Sequence, residues 1–130
     1  MKLFHFLCLT VLFVSSSFIP QEESQSKSAN KEDLLGEWTL DLRPTPQSEA
    51  YFQPFVVETI KDNSFQGTFY GSPVEGSLLN DNWEKLYFAF TTKDVNNEYY
   101  HSGYLLDGKL HGMTYCPNRE FAAPWRGSKK

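Results

Sequence analysis

YYHSGYLLDGKLHGMTYC, residues 99–116, decides the fold, because its turn assigns a face to every side chain around it. Asp107-Gly108 between alternating segments is the strongest short hairpin signal, since a two-residue type I′ loop needs positive φ at both positions. Leu106 then pairs with Lys109, and counting back sets Leu105 against Leu110, Gly103 against Gly112, His101 against Thr114 and Tyr99 against Cys116. Tyr100, Ser102, Tyr104, His111, Met113 and Tyr115 take the other face. His101 and His111, the only histidines beyond the N-terminal segment, therefore point to opposite sides of the sheet and are badly placed to share a metal or a proton.

The same alternation extends outward. Leu35 to Leu42 places Trp38, Leu40 and Leu42 on one face, and Arg43-Pro44-Thr45-Pro46 ends the run because proline cannot continue a paired strand. Phe55 to Ile60, Ser64 to Tyr70 and Val74 to Leu79 follow, separated by Lys61-Asp62-Asn63 and Gly71-Ser72-Pro73. Trp83 to Thr92 precedes the hairpin, and Glu120 to Trp125 comes after it. Eight short runs with no helical period between them predict an antiparallel up-and-down meander. Closing it into an eight-stranded β-barrel removes both edges and leaves an interior that side chains fill or that holds one small ligand. A two-layer sandwich is the alternative packing.

Composition agrees with one all-β domain. The chain has 130 residues, of which 40% are hydrophobic and 16% aromatic, enough for a single modest core. Its formal net charge of −4 is dispersed, without the basic stripe that tracks a phosphate backbone, so nucleic acid is a poor partner.

The first residues read as an address. Met1-Lys2, the apolar run Leu3 to Val14 and Ser15-Ser16-Ser17 form a signal-peptide pattern over residues 1–17, and the run falls short of the roughly 20 residues of a spanning helix. Export, to the outside or the periplasm, with no membrane attachment after cleavage, follows. Cys8 lacks the preceding small residue of a lipid-modified cysteine, and without the leader Cys116 is the only cysteine, so no intramolecular disulfide forms. Cys116 is then a reactive thiol, an intermolecular bridge or a small buried apolar group. Residues 18–34 are polar and read as a flexible linker, unless Ser28, Asn30 or Asp33 caps a short helical turn into Leu34-Leu35. The barrel covers 35–127 and a tail 128–130.

Gly36-Glu37-Trp38 resembles the Gly-x-Trp that opens calycin barrels, the lipocalin, fatty-acid-binding and avidin group. Gly67-Thr68-Phe69 before a serine-containing loop, and His101-Ser102-Gly103 in place of Trp-Ser-Gly, are similar to the avidin-like members. The resemblance implies a ligand-holding barrel that pairs with copies of itself. Leu40 stands where avidin-like proteins carry a polar residue for the ureido group of biotin, and a buried neutral group left unpaired costs about 1–3 kcal/mol, which weighs against biotin.

Carrying the hairpin faces inward makes Trp38, Phe69, Ser72, Phe90, Tyr99, His101, Thr114 and Trp125 the candidate ligand contacts, an aromatic lining with a few polar handles. The same side chains would equally fill the barrel as a core. On the outer face Tyr100, Tyr104, His111, Met113 and Tyr115 form an aromatic patch, a candidate interface for self-association or for cross-strand pairing alone. No nucleophile elbow, phosphate-binding glycine loop, paired-cysteine motif or His-Glu-x-x-His occurs, and neighbouring His101 and Ser102 face opposite ways. The sequence thus predicts a non-catalytic exported barrel without cofactor or metal. It binds a small apolar or aromatic ligand inside or, alternatively, contacts another protein through the outer tyrosines.

Overall fold

The computed structural model of the chain describes residues 29–130, so the expected signal peptide, residues 1–17, and the expected linker residues 18–28 lie outside the described residues. Nine strands form one antiparallel sheet: β1 (Gly36–Asp41), β2 (Phe52–Lys61), β3 (Ser64–Phe69), β4 (Ser72–Pro73), β5 (Glu75–Asn80), β6 (Leu86–Lys93), β7 (Glu98–Leu106), β8 (Lys109–Cys116) and β9 (Phe121–Lys129). Two 3-10 turns, η1 (Lys31–Leu34) and η2 (Pro117–Arg119), complete the described chain, which is all-β and nearly closed into a barrel.

The hairpin register is the one the Asp-Gly turn dictates. Leu106 pairs with Lys109, Gly103 with Gly112 and His101 with Thr114, and the ladder ends at Tyr100 and Tyr115, one pair short of Tyr99 and Cys116. Asp107 and Gly108 have φ of 51° and 71°, as a type I′ loop requires.

The expected strand number is corrected from eight to nine. Tyr70 and Gly71 take positive φ, 52° and 78°, and this tight turn folds Ser72 back onto Phe69 as the short strand β4. The last strand also runs further than expected, absorbing the tail: Ser128 pairs with Thr39 and Lys129 with Trp38. A side chain at Gly127 would meet Leu40 at 2.6 Å, so this glycine permits close packing within the strand and does not end it. The linker is shortened at its other end. The Asn30 side chain accepts the Glu32 N–H at 3.1 Å and caps η1, whose Leu34 is fully buried.

Closure differs in place from a simple meander. The first and last strands are paired over four residues, Trp38 to Asp41 against Lys129 to Arg126. The weak seam instead lies between β3 and β5, where few hydrogen bonds span the gap. Val74 N–H donates to the Gly67 carbonyl at 2.9 Å and Leu79 N–H to the Asn63 carbonyl at 2.8 Å. Between them, Ser77 Oγ accepts from Phe65 N–H at 2.9 Å and donates to the Phe65 carbonyl at 2.6 Å. A serine side chain thus stands in for a strand at the irregularity between Glu75 and Leu78.

Inside, Trp38, Leu40, Phe55, Phe65, Phe69, Leu86, Phe88, Phe90, Leu105, Leu110 and Trp125 form one buried cluster. The Phe55 ring stacks on Phe90 at 5.2 Å and meets Phe69 edge-on at 5.6 Å. Leu34 closes one end, where its carbonyl accepts the Trp38 indole N–H at 2.9 Å. The other end carries the β1–β2 loop, the Tyr70-Gly71 turn, the β6–β7 loop and η2.

Candidate functional site

The residues expected to line a cavity are packed against one another. Phe69 lies 4.2 Å from the His101 ring and 5.6 Å from Trp125, and Phe90 stacks on His101 at 4.6 Å. His101 is buried within a polar chain: Nε2 is 2.8 Å from Thr92 Oγ1 and Nδ1 is 2.7 Å from Thr114 Oγ1, which also accepts the Trp125 indole N–H at 2.9 Å. A neutral imidazole uses one nitrogen as donor and the other as acceptor, and the threonine hydroxyls can turn to serve either tautomer. Burial pushes the His101 pKa down to about 4. Among the described residues no buried side-chain polar atom lacks a partner.

Tyr99 and Ser72 sit at the rim, both half-buried. The Tyr99 hydroxyl donates to Asp94 Oδ2 at 2.9 Å and accepts from Arg119 at 3.1 Å. Backbone N–H donors, Asn96 foremost, and the Tyr99 hydroxyl hold the Asp94 carboxyl below its usual range. At the same rim the Tyr51 and Tyr70 hydroxyls are hydrogen-bonded. Trp38 is at the opposite, plugged end, so the eight candidates do not converge on one hollow.

The outer face is different. Cross-strand pairing sets Tyr87, Tyr104, His111 and Arg126 in one row, Ala89, Ser102, Met113 and Pro124 in the next, and Thr91, Tyr100, Tyr115 and Ala122 in a third. Tyr100 stacks on Tyr115 at 5.0 Å and Tyr104 on His111 at 4.9 Å, with Lys85 Nζ 4.7 Å from the Tyr104 ring centre. Met113 and Tyr115 remain exposed. The five interface candidates therefore share one surface, with His111 outside the barrel and His101 inside.

Over part of that surface lies an open groove of about 770 Å³. It is lined by Gly103, Gly112 and Trp125, by Tyr104, His111, Met113, Pro124 and Arg126, and, as one wall, by the Arg43-Pro44-Thr45-Pro46 loop. The wall is fastened. Asp41 accepts from Arg43 Nε at 2.7 Å and from the backbone N–H groups of Arg43 and Tyr51, while the Ser48 N–H donates to the Thr45 carbonyl at 3.1 Å. The Arg43 guanidinium draws the Asp41 pKa down to about 2. A second hollow, about 470 Å³, lies at the plugged end beside Trp38, Leu105 and Lys129 and is bordered by Ala29, the first described residue.

Tyr104, His111 and Met113 of this groove are visible in the hairpin pattern, whereas Asp41, Arg43 and Arg126 are not. In sequence, Arg43 to Pro46 reads only as a strand terminator, and ending the last strand at Trp125 leaves Arg126 without a face. The Trp125–Arg126–Gly127 alternation continues the strand and is the signal that places Arg126 outward.

Among the described residues, no group of three His, Cys, Asp or Glu side chains could hold a metal ion, and no helix is long and apolar enough to cross a membrane. Cys116 is free and buried. No protein-family model, curated protein or solved structure matches the chain.

Proposed function

We propose that this protein is an exported, non-catalytic recognition module, a calycin-like barrel filled by its own side chains that binds through its outer face. One contrast carries the reading. Within the barrel, His101, Thr92, Thr114 and Trp125 satisfy one another, whereas the open groove outside presents aromatic, apolar and cationic side chains together. Export rests on the leader pattern of residues 1–17. A ligand within the barrel, the first expectation from sequence, requires Phe69, Phe90 and Trp125 to part. Native mass spectrometry of the mature protein from its own source tests for a retained molecule. A molecule whose retention is lost on replacing Phe90 by Ala, and kept on replacing Tyr104 by Ala, overturns the outer-face reading.

The neutral rows through Ser102, Met113, Tyr100 and Tyr115 favour a second reading, in which the same face pairs two copies of the chain. Light scattering at micromolar concentration decides it: a dimer that Tyr115→Lys splits supports pairing, and a strict monomer ends it.

A further inference from the structure

Arg126 stands directly across the β1/β9 ladder from Asp41, yet among the described residues neither an ion pair nor a side-chain hydrogen bond joins them. Asp41 is already held by Arg43 within its own loop. The groove is thereby left with an unmatched guanidinium. Its charged lining is Arg43 and Arg126 against the one carboxylate of Asp41, and Lys85 flanks the Tyr104 ring. This excess of basic groups runs against the chain as a whole, whose formal net charge is −4.

We infer that the groove binds a small carboxylate with a flat apolar body, an aromatic acid, using Arg126 as the anion anchor. The inference rests on the outer-face reading and names the ligand class for it. A guanidinium presents a planar fork of donors that matches a carboxylate in two parallel hydrogen bonds. A cation would be repelled by Arg126, and a neutral apolar molecule would cover its donors without replacing their water, which is unfavourable. The body of the ligand has apolar surface to rest on. Met113, Pro124, Pro44 and Pro46 line the groove, and the Tyr104–His111 pair adds stacked rings inclined by 14°. The thioether of Met113 is suited to an aromatic neighbour. The groove's volume of about 770 Å³ lies within the range of small-molecule sites.

The experiment compares 2-naphthoate with 2-naphthamide, the same ring without the charge, on the mature protein by calorimetry and by two-dimensional NMR. Naphthoate binding about 10- to 100-fold tighter than the amide, with that difference abolished by Arg126→Gln, is the expected result. Because Arg126 is exposed, the variant is expected to fold, and its spectrum reports whether it has. Acid and amide binding equally at Tyr104 and Met113 overturns the carboxylate assignment and leaves the outer-face reading standing. Resonances of Phe90 and His101 moving alone overturn both, and failure of the acid to bind at millimolar concentration overturns the assignment.

Discussion

The Trp125 indole lies across Gly112, its partner on the neighbouring strand, so closely that a Cβ at Gly112 would come within 2.1 Å of the ring. A Cβ at Gly103, beside it, would come within 2.2 Å of the His111 carbonyl oxygen and 2.9 Å of the Phe88 ring, and the Phe88 and Trp125 rings stack at 6.2 Å. The paired glycines make room for two aromatic side chains of the protein itself. Gly112→Ala is therefore expected to lower unfolding free energy by about 1–3 kcal/mol through overpacking, read from urea unfolding monitored by tryptophan fluorescence. An unchanged midpoint would show that the barrel has slack at its centre.

His101 makes stability depend on acid. Its pKa falls from 6.5 to about 4 because burial disfavours the imidazolium. Between those values the unfolded chain binds the proton and the folded chain does not, so stability is full above pH 6.5 and declines as pH falls toward about 4. The loss approaches about 3 kcal/mol, since every tenfold weakening of proton binding on folding is worth about 1.4 kcal/mol. Urea unfolding at pH 7 and pH 4.5 measures it, and His101→Gln should flatten the difference. Asp41, depressed from 3.8 to about 2, acts at lower pH and does not confuse the comparison. A wild-type slope that survives in the variant would assign the effect to other groups.

Ser77 holds the seam. Replacing it by Ala removes both hydrogen bonds to the Phe65 backbone and leaves that N–H and carbonyl without these partners, for an expected loss of about 1–3 kcal/mol. Hydrogen exchange should accelerate first at Phe65 and its β3 neighbours, while the β7–β8 hairpin stays protected. Uniform acceleration around the barrel would place the weakest junction elsewhere.

The hairpin is legible in sequence because Asp107-Gly108 fixes a turn type, the turn fixes register, and register fixes faces. Those local rules put His101 inside and His111 outside without any tertiary information. The capped turn at Asn30, one of the alternatives open in sequence, is equally local, since Asn30 accepts from Glu32 two residues on. The seam at Ser77 escapes these rules because it depends on Phe65, a partner on another strand. The groove escapes because it is assembled from β1, the loop after it and three later strands. Alternation names Trp125 as inward, but whether inward means core or cavity depends on ring packing across Gly103 and Gly112, which a pattern of faces does not contain.

Titrating the isotopically labelled protein with 2-naphthoate and mapping every shifted amide and methyl resonance separates recognition on the outside of a filled barrel from binding within it. Movement is expected at Ser102, Tyr104, His111, Met113 and Arg126, with Phe69, Phe90 and Trp38 unmoved. Shifts concentrated at Phe69, Phe90 and His101, with the outer row silent, would place the ligand inside the barrel and end the outer-face reading.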